Sequence, residues 1–330
     1  MDENDSRFAR VRDWISRHPV AVTVASTLIV GGALVVGLWS KRDDFVSALG
    51  NASIWTLAAA IALQCIWLVA RSEAWHVCVG AAGGEVERRR LYRAAAVGYL
   101  GNLFNSTFGL GVRIAALRRS APAESPGVGV LITAEMPIVV IEMVLAAICS
   151  FTLVAPLNAP AWVPALCLAV ALVAIVAATR VARNRHDGFW AGLAVMRGLG
   201  SRNTIIALVI FAVLAQVARN WIVFHGLGAD ISVFDSMALL IAAAAFGLLP
   251  VGPTLGVATS VVILGSNGVA LAAAAGALLT ATGAVGALCF AGWAGIDRLL
   301  QHRRDRRAGP EPEPEALPPA LSLPPVIPPV

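Results

Sequence analysis

Apolar runs of spanning length alternate with short arginine-bearing loops along this chain. Val20–Trp39, Ala52–Trp75, Val128–Ala155, Ala161–Thr179, Thr204–Phe224 and Val269–Ile296 each approach or exceed the roughly 20 apolar residues that cross a bilayer core as a helix. The first run ends in Leu38-Trp39 rather than at a small-residue cleavage site, and reads as an uncleaved anchor. Two further apolar stretches are too short. Ala94–Phe108 runs into Gly109-Leu110-Gly111, and Met237–Leu249 stops at Pro250-Val251-Gly252-Pro253 before Thr254–Leu264 and Gly265-Ser266-Asn267-Gly268. The 61 residues from Ser236 to Ile296 contain no Asp, Glu, Lys, Arg or His. Non-helical backbone at membrane depth persists only where protein or a water-filled cavity satisfies its polar groups, so the Leu249–Val257 break belongs inside a bundle. The pattern predicts an all-α, polytopic helical bundle of six full transmembrane helices plus two re-entrant broken-helix units.

Charge sharpens this picture. The chain is 58% hydrophobic and 14% charged, against about 25% in soluble domains. Its net charge of +5 is not a nucleic-acid footprint, because the basic residues sit in short loops beside apolar spans. With a cytoplasmic N-terminus and both broken segments returning to the side they entered, 22 basic residues face inward: four before Val20, five from Arg71 to Arg93, three from Arg113 to Arg119, and five each in 180–202 and 298–307. Lys41 and Arg42 face outward and Arg219 lies within the membrane, completing the inventory of 25. The asymmetry predicts a plasma-membrane protein with both termini inside. The chain then divides into a basic segment 1–19, a membrane domain 20–300 and a tail 301–330, whose last part, Gly309–Val330, carries nine prolines and reads as extended or disordered. Met1–Pro19 reads either as a short amphipathic surface helix or as a solvated basic tail.

The two broken segments resemble each other. Residues 94–100 match 243–249 at five of seven positions, and Leu110-Gly111-Val112 matches Leu255-Gly256-Val257. One is read as entering from the cytoplasm and the other from outside, which makes an inverted repeat, the architecture that places a substrate site near the bilayer midplane.

Few groups offer chemistry. Five cysteines without C-x-x-C read as packing residues, and five histidines lack metal-ligand spacing, so no cofactor or metal is expected. No H-E-x-x-H, G-x-S-x-G or P-loop is present, so the chain does not read as an enzyme, a membrane-embedded transferase being the least favoured class. Interest falls on charges at membrane depth. Glu135 and Glu142, seven apart, share a helix face. Glu142 and Arg219 each lie about 22 Å along their spans, which makes a Glu142–Arg219 pair geometrically accessible, either to admit an anionic headgroup or to hold two helices together. Glu135 has no evident partner and reads as protonated or facing a polar cavity, a proton-relay candidate. Pro137 predicts a kink beside it. Asn102 and Asn105, with Ser106 and Thr107, supply polar groups at the first break. Trp39, Trp55, Trp162 and Trp221 on one side, and Trp14, Trp75, Trp190 and Trp293 on the other, read as an aromatic belt without a binding role.

Together these features resemble the lysylphosphatidylglycerol synthase transmembrane-region, or flippase-like, family over roughly Ala52–Leu300. The resemblance rests on Gly101-Asn102-Leu103-Phe104-Asn105 running into Gly109-Leu110-Gly111-Val112-Arg113, on Glu135 as the acidic helix position, and on Leu249-Pro250-Val251-Gly252-Pro253-Thr254-Leu255-Gly256-Val257 before Gly268-Val269. There are departures. Proline is missing from the first turn, Val112 stands where the family has an acid, Met136 stands where arginine often follows the helix acid, and the acidic position of the second break falls near Thr259 and Ser260. The resemblance implies binding or translocation of an anionic phospholipid or a lipid-linked envelope precursor. Arg219, Glu142, Glu135, Asn102, Asn105, Arg113, Pro250, Gly252, Gly256 and Thr259 are the residues read as meeting it. The alternative is a non-transporting membrane subunit that supports an envelope-lipid or glycan biosynthetic enzyme. The family's synthases carry a soluble aminoacyl-transfer domain that is absent here, so lipid synthesis by this chain is not expected.

Overall fold

A computed structural model describes residues 36, 39–103, 106–122, 124–154, 156–157, 160–184, 188–196, 198–246, 255–265 and 268–308. Most of them are helical, and no strand occurs among them. A short helix α1 (Arg42–Gly50) precedes the long α2 (Ile54–Ala81), whose first turn is capped by the Ser53 hydroxyl accepting from the Trp55 N–H at 3.2 Å. α3 (Arg88–Asn102) and α4 (Ser106–Ser120) form an antiparallel pair. α5 (Val128–Thr133) and α6 (Met136–Cys149) are two parts of one span, which a 3₁₀ turn extends to Leu153. α7 (Val163–Asn184), a 3₁₀ segment Gly188–Met196, α8 (Leu199–Gly226), α9 (Val233–Phe246), α10 (Leu255–Leu264) and α11 (Val269–Ala308) follow.

Five of these units are long and apolar enough to cross a membrane: Ile54–Ala81, Val128–Leu153, Val163–Asn184, Gly200–Gly226 and Val269–Arg303. The first expected span, Val20–Trp39, lies almost wholly outside the described residues, as do Met1–Pro19 and the proline-rich tail. Along α7, Leu166, Leu168, Val170, Leu172 and Val173 are exposed, the apolar surface that lipid chains cover.

The centre of the bundle is the antiparallel pairing of α2 with α8. Gly226 sits where a Cβ would come within 2.4 Å of Thr56, and the Gln64 Oε1 accepts from the Gln216 Nε2 at 3.0 Å. α11 packs against both helices and against α3. Two apolar clusters fill the ends. One joins Ala60, Val223, Phe224, Leu227 and Ala238 to the start of α11. The other joins Trp75, Leu91, Leu117, Leu131 and Ile205 at the basic end. At that end Arg93 pairs with Asp297 at 3.0 Å, Arg88 with Glu73 at 2.8 Å and Arg90 with Glu124 at 2.8 Å, tying the start of α3 to α2, α11 and the following loop. α9 begins with a reciprocal cap, Ser232 and Asp235 each binding the other's backbone N–H.

Several expectations need correction. The expected break at Gly109–Gly111 is not where the helix is interrupted: α3 ends at Asn102, α4 begins at Ser106, and Gly109–Gly111 lies inside α4. Gly109 is there for close approach: a Cβ on it would fall 1.7 Å from Asn102 Oδ1 and 2.6 Å from the Gly98 carbonyl. Gly109→Leu is therefore expected to part α3 from α4 and to lower the melting temperature in detergent, overpacking of this kind costing about 1–3 kcal/mol. α2 runs on to Ala81, beyond the expected end at Trp75, so Trp75 is fully buried rather than part of a belt. Arg71 and Arg113, counted among the loop arginines, lie within helices of the bundle and are largely covered. The kink expected at Pro137 is present as the break at Ala134–Glu135, since proline opens α6 and cannot donate into the preceding turn.

Candidate functional site

The break at 134–135 brings a charged side chain to the bundle interior at a bend. Glu135 accepts from Arg113 of α4 and, at 3.2 Å, from Arg71 of α2. Arg71 also donates to Glu142, about two turns further along the same face of the span. Two cations and two carboxylates thus compensate one another, and their side chains are 6% (Arg113), 13% (Glu135), 17% (Arg71) and 32% (Glu142) exposed. Aromatic faces complete the enclosure. The Arg113 guanidinium lies 4.1 Å from the Trp75 ring centroid and that of Arg71 lies 5.8 Å from Trp67. Below them the buried Ser72 hydroxyl donates to the Leu68 carbonyl at 2.7 Å and lies 3.5 Å from the Tyr99 hydroxyl.

A second polar group lies across the α2–α8 contact. Arg219 is 6% exposed. Its Nη1 donates to Gln216 Oε1 at 3.2 Å, and its Nη2 donates to the Leu279 carbonyl and to Thr282 Oγ1 at 2.9 Å. Gln216 is in turn joined to Gln64. The Nε of Arg219 has no hydrogen-bond partner among the described residues, and no carboxylate there lies within ion-pairing distance of it. The guanidinium packs closely against Gly283, on which a Cβ would stand 3.3 Å from Nη2. A buried cation held only by neutral dipoles is costly in a low-dielectric interior, and it offers a strong site for an incoming negative charge.

This geometry redistributes the expected site. Glu135 and Glu142 do share a face, but both meet Arg71. The Glu142–Arg219 pair does not form, because Arg219 points to α11 and Glu142 to α2. Glu135 is doubly paired, which removes the reason for reading it as a lone proton relay. Arg113 joins the charged group from α4. Asn102 is exposed at the end of α3 and packs against Gly109, Gly256 lies in the first turn of α10, and Thr259 is fully buried within α10. Asn105, Pro250 and Gly252 lie outside the described residues. Arg71, Gln64, Gln216 and Thr282 were not anticipated. For Arg71 a signal existed: Trp67-x-x-x-Arg71-x-x-x-Trp75 puts an arginine and two indoles on one helix face.

Among known proteins, the family model described as the lysylphosphatidylglycerol synthase TM region matches residues 20–299. No curated protein and no solved structure matches the chain.

Proposed function

The chain belongs to the lysylphosphatidylglycerol synthase TM region family, and we propose that it binds or translocates an anionic phospholipid or lipid-linked envelope precursor. Membership of the family supports a membrane protein related to lipid handling. The finer reading rests on one observation. Arg219 is a buried cation within the bundle whose partners, Gln216, Thr282 and the Leu279 carbonyl, are all neutral. Keeping such a charge in a membrane helix costs at least about 2.5–3.5 kcal/mol, which an anionic headgroup offsets when it arrives.

In this reading the basic end, bearing Arg88, Arg89, Arg90, Arg93 and Arg298, faces the cytoplasm of a cell whose plasma membrane holds the protein, in keeping with the positive-inside bias. The α3–α4 and α9–α10 pairs are the two re-entrant units, inserted from opposite faces. The charged group around Glu135 lies between Arg219 and the cytoplasmic side. The reading does not require chemistry on the lipid. It is tested by reconstituting the purified chain in vesicles with headgroup-labelled anionic phospholipid and following loss of label accessibility. Movement faster than in protein-free vesicles is expected, and folded protein that neither moves nor retains such a lipid would refute the reading.

A further inference from the structure

The helix that carries Arg219 repeats the helix that carries Arg71. Both are 28 residues long and both precede a short helical pair. At one constant offset Val69-Ala70-Arg71-Ser72 aligns with Val217-Ala218-Arg219-Asn220, and Gly80-Ala81 aligns with Gly228-Ala229. This offset differs by a single residue from that relating the matched stretches 94–100 and 243–249. The two arginines therefore hold equivalent places in two units that run in opposite directions.

The register of the helices fixes where those places are. Gln64 opposes Gln216, and in the repeat their equivalents are residues 212 and 68, so α2 and α8 cross their local two-fold axis near residues 66 and 214. Arg71 lies five residues beyond that point toward the basic end, and Arg219 five residues beyond it toward the opposite end. At about 1.5 Å per residue the two α-carbons stand about 15 Å apart along the bundle, equally spaced about its centre.

Their surroundings differ in one respect. The span after each helical pair meets its arginine, but α6 presents Glu135 and Glu142 to Arg71, whereas α11 presents Thr282, the Leu279 carbonyl and the bare backbone of Gly283 to Arg219. One arginine is neutralised by the protein and the other is not.

We infer that Arg71 and Arg219 are two successive stations for one monoanionic phosphodiester headgroup, the first closed by Glu142 and the second facing no carboxylate among the described residues. The inference rests on the lipid-handling reading and adds to it the path and the charge class. Arg219 supplies one positive charge in a low-dielectric site, which matches one negative charge. A diphosphate-linked lipid would bring charge that nothing there balances. At the other station Glu142 is the most exposed of the four charged side chains, and its departure from Arg71 leaves one net positive charge for the same headgroup.

The test uses the full chain in phosphatidylcholine vesicles containing headgroup-labelled phosphatidylglycerol. If the stations act in series, Arg71→Gln and Arg219→Gln each slow translocation about ten-fold or more, and because successive delays add, the double variant is at most about two-fold slower than the slower single. Translocation by the unaltered protein together with an unchanged rate for Arg71→Gln overturns the two-station path. Unaltered, folded protein that neither moves nor retains the lipid overturns the lipid-handling reading beneath it. Because Arg71→Gln also unpairs two carboxylates, Glu142→Gln gives an independent readout. Phosphatidylglycerol retained per mole of purified protein should rise about three-fold or more as Arg71 is freed, an effect of less than one charge-assisted hydrogen bond. Equal or lower retention would mark Glu142 as structural only. Retained lipid should survive washing with inorganic phosphate, whereas its displacement would assign the stations to free phosphate.

Discussion

Arg219→Ala is expected to give a folded, monodisperse protein in which lipid translocation falls to the level of protein-free vesicles. The physical argument has two halves that predict opposite signs for stability and activity. Arg219 is buried with no carboxylate partner among the described residues, and only Gln216, Thr282 and the Leu279 carbonyl accept its protons. Deleting it removes a desolvation cost of at least about 2.5–3.5 kcal/mol on insertion scales while freeing neutral groups that can re-pair, Gln216 with Gln64 and Thr282 with the backbone of its own helix. The melting temperature in detergent should therefore hold or rise. Activity should be lost because no other cation occupies that level of the described bundle. A variant that melts lower and still transports would show that the side chain is structural. Gly283→Asp attacks the same charge from the facing helix, placing a carboxylate directly against the guanidinium, which now packs on the bare glycine. It should silence transport without unfolding the protein.

Glu135→Ala should have the opposite character, a severe loss of stability. Glu135 is the shared acceptor of Arg71 and Arg113, and it sits at a break held open by Pro137. Removing one member of a buried ionic group leaves the others uncompensated, which costs about 3–5 kcal/mol. Arg113 then has only the Trp75 face, and Arg71 only Glu142. The expected outcome is a large drop in the detergent melting temperature and in the yield of monodisperse protein. Restoring balance should restore stability. Glu135→Leu combined with Arg113→Met keeps the Arg71–Glu142 pair and replaces the other pair by apolar contacts, an exchange that is often neutral. A thermal double-mutant cycle measures this coupling, and additive effects of the two changes would contradict the described network.

Much of the architecture is legible in the hydrophobic pattern, because a spanning helix must keep its polar backbone satisfied and its side chains apolar over a fixed length. The spans at α2, α5–α6, α7, α8 and α11 follow from their apolar runs. So does the interruption near Pro137, and the positive φ of Gly268 marks the expected turn before the last helix. The common face of Glu135 and Glu142 follows from helical periodicity alone. Which cation meets them does not, since pairing across helices depends on register and rotation that the periodicity of a single helix leaves open. Arg71 reads as the edge of a basic loop because the apolar run weakens at Ser72-Glu73, yet α2 continues to Ala81. Gly109 reads as a helix breaker because glycine is permissive, yet here it lets α3 and α4 approach. The shared Val-Ala-Arg of α2 and α8 is visible in the letters, but it acquires meaning only once the Gln64–Gln216 contact fixes how the two helices cross.

The measurement that bears most directly on the account is translocation of headgroup-labelled phosphatidylglycerol by the purified full-length chain in phosphatidylcholine vesicles, with folding confirmed on the same preparation. The account predicts movement well above protein-free vesicles, reduced to that background by Arg219→Ala. No movement from demonstrably folded protein would contradict it, and would turn attention to a membrane subunit that serves an envelope-lipid or glycan enzyme.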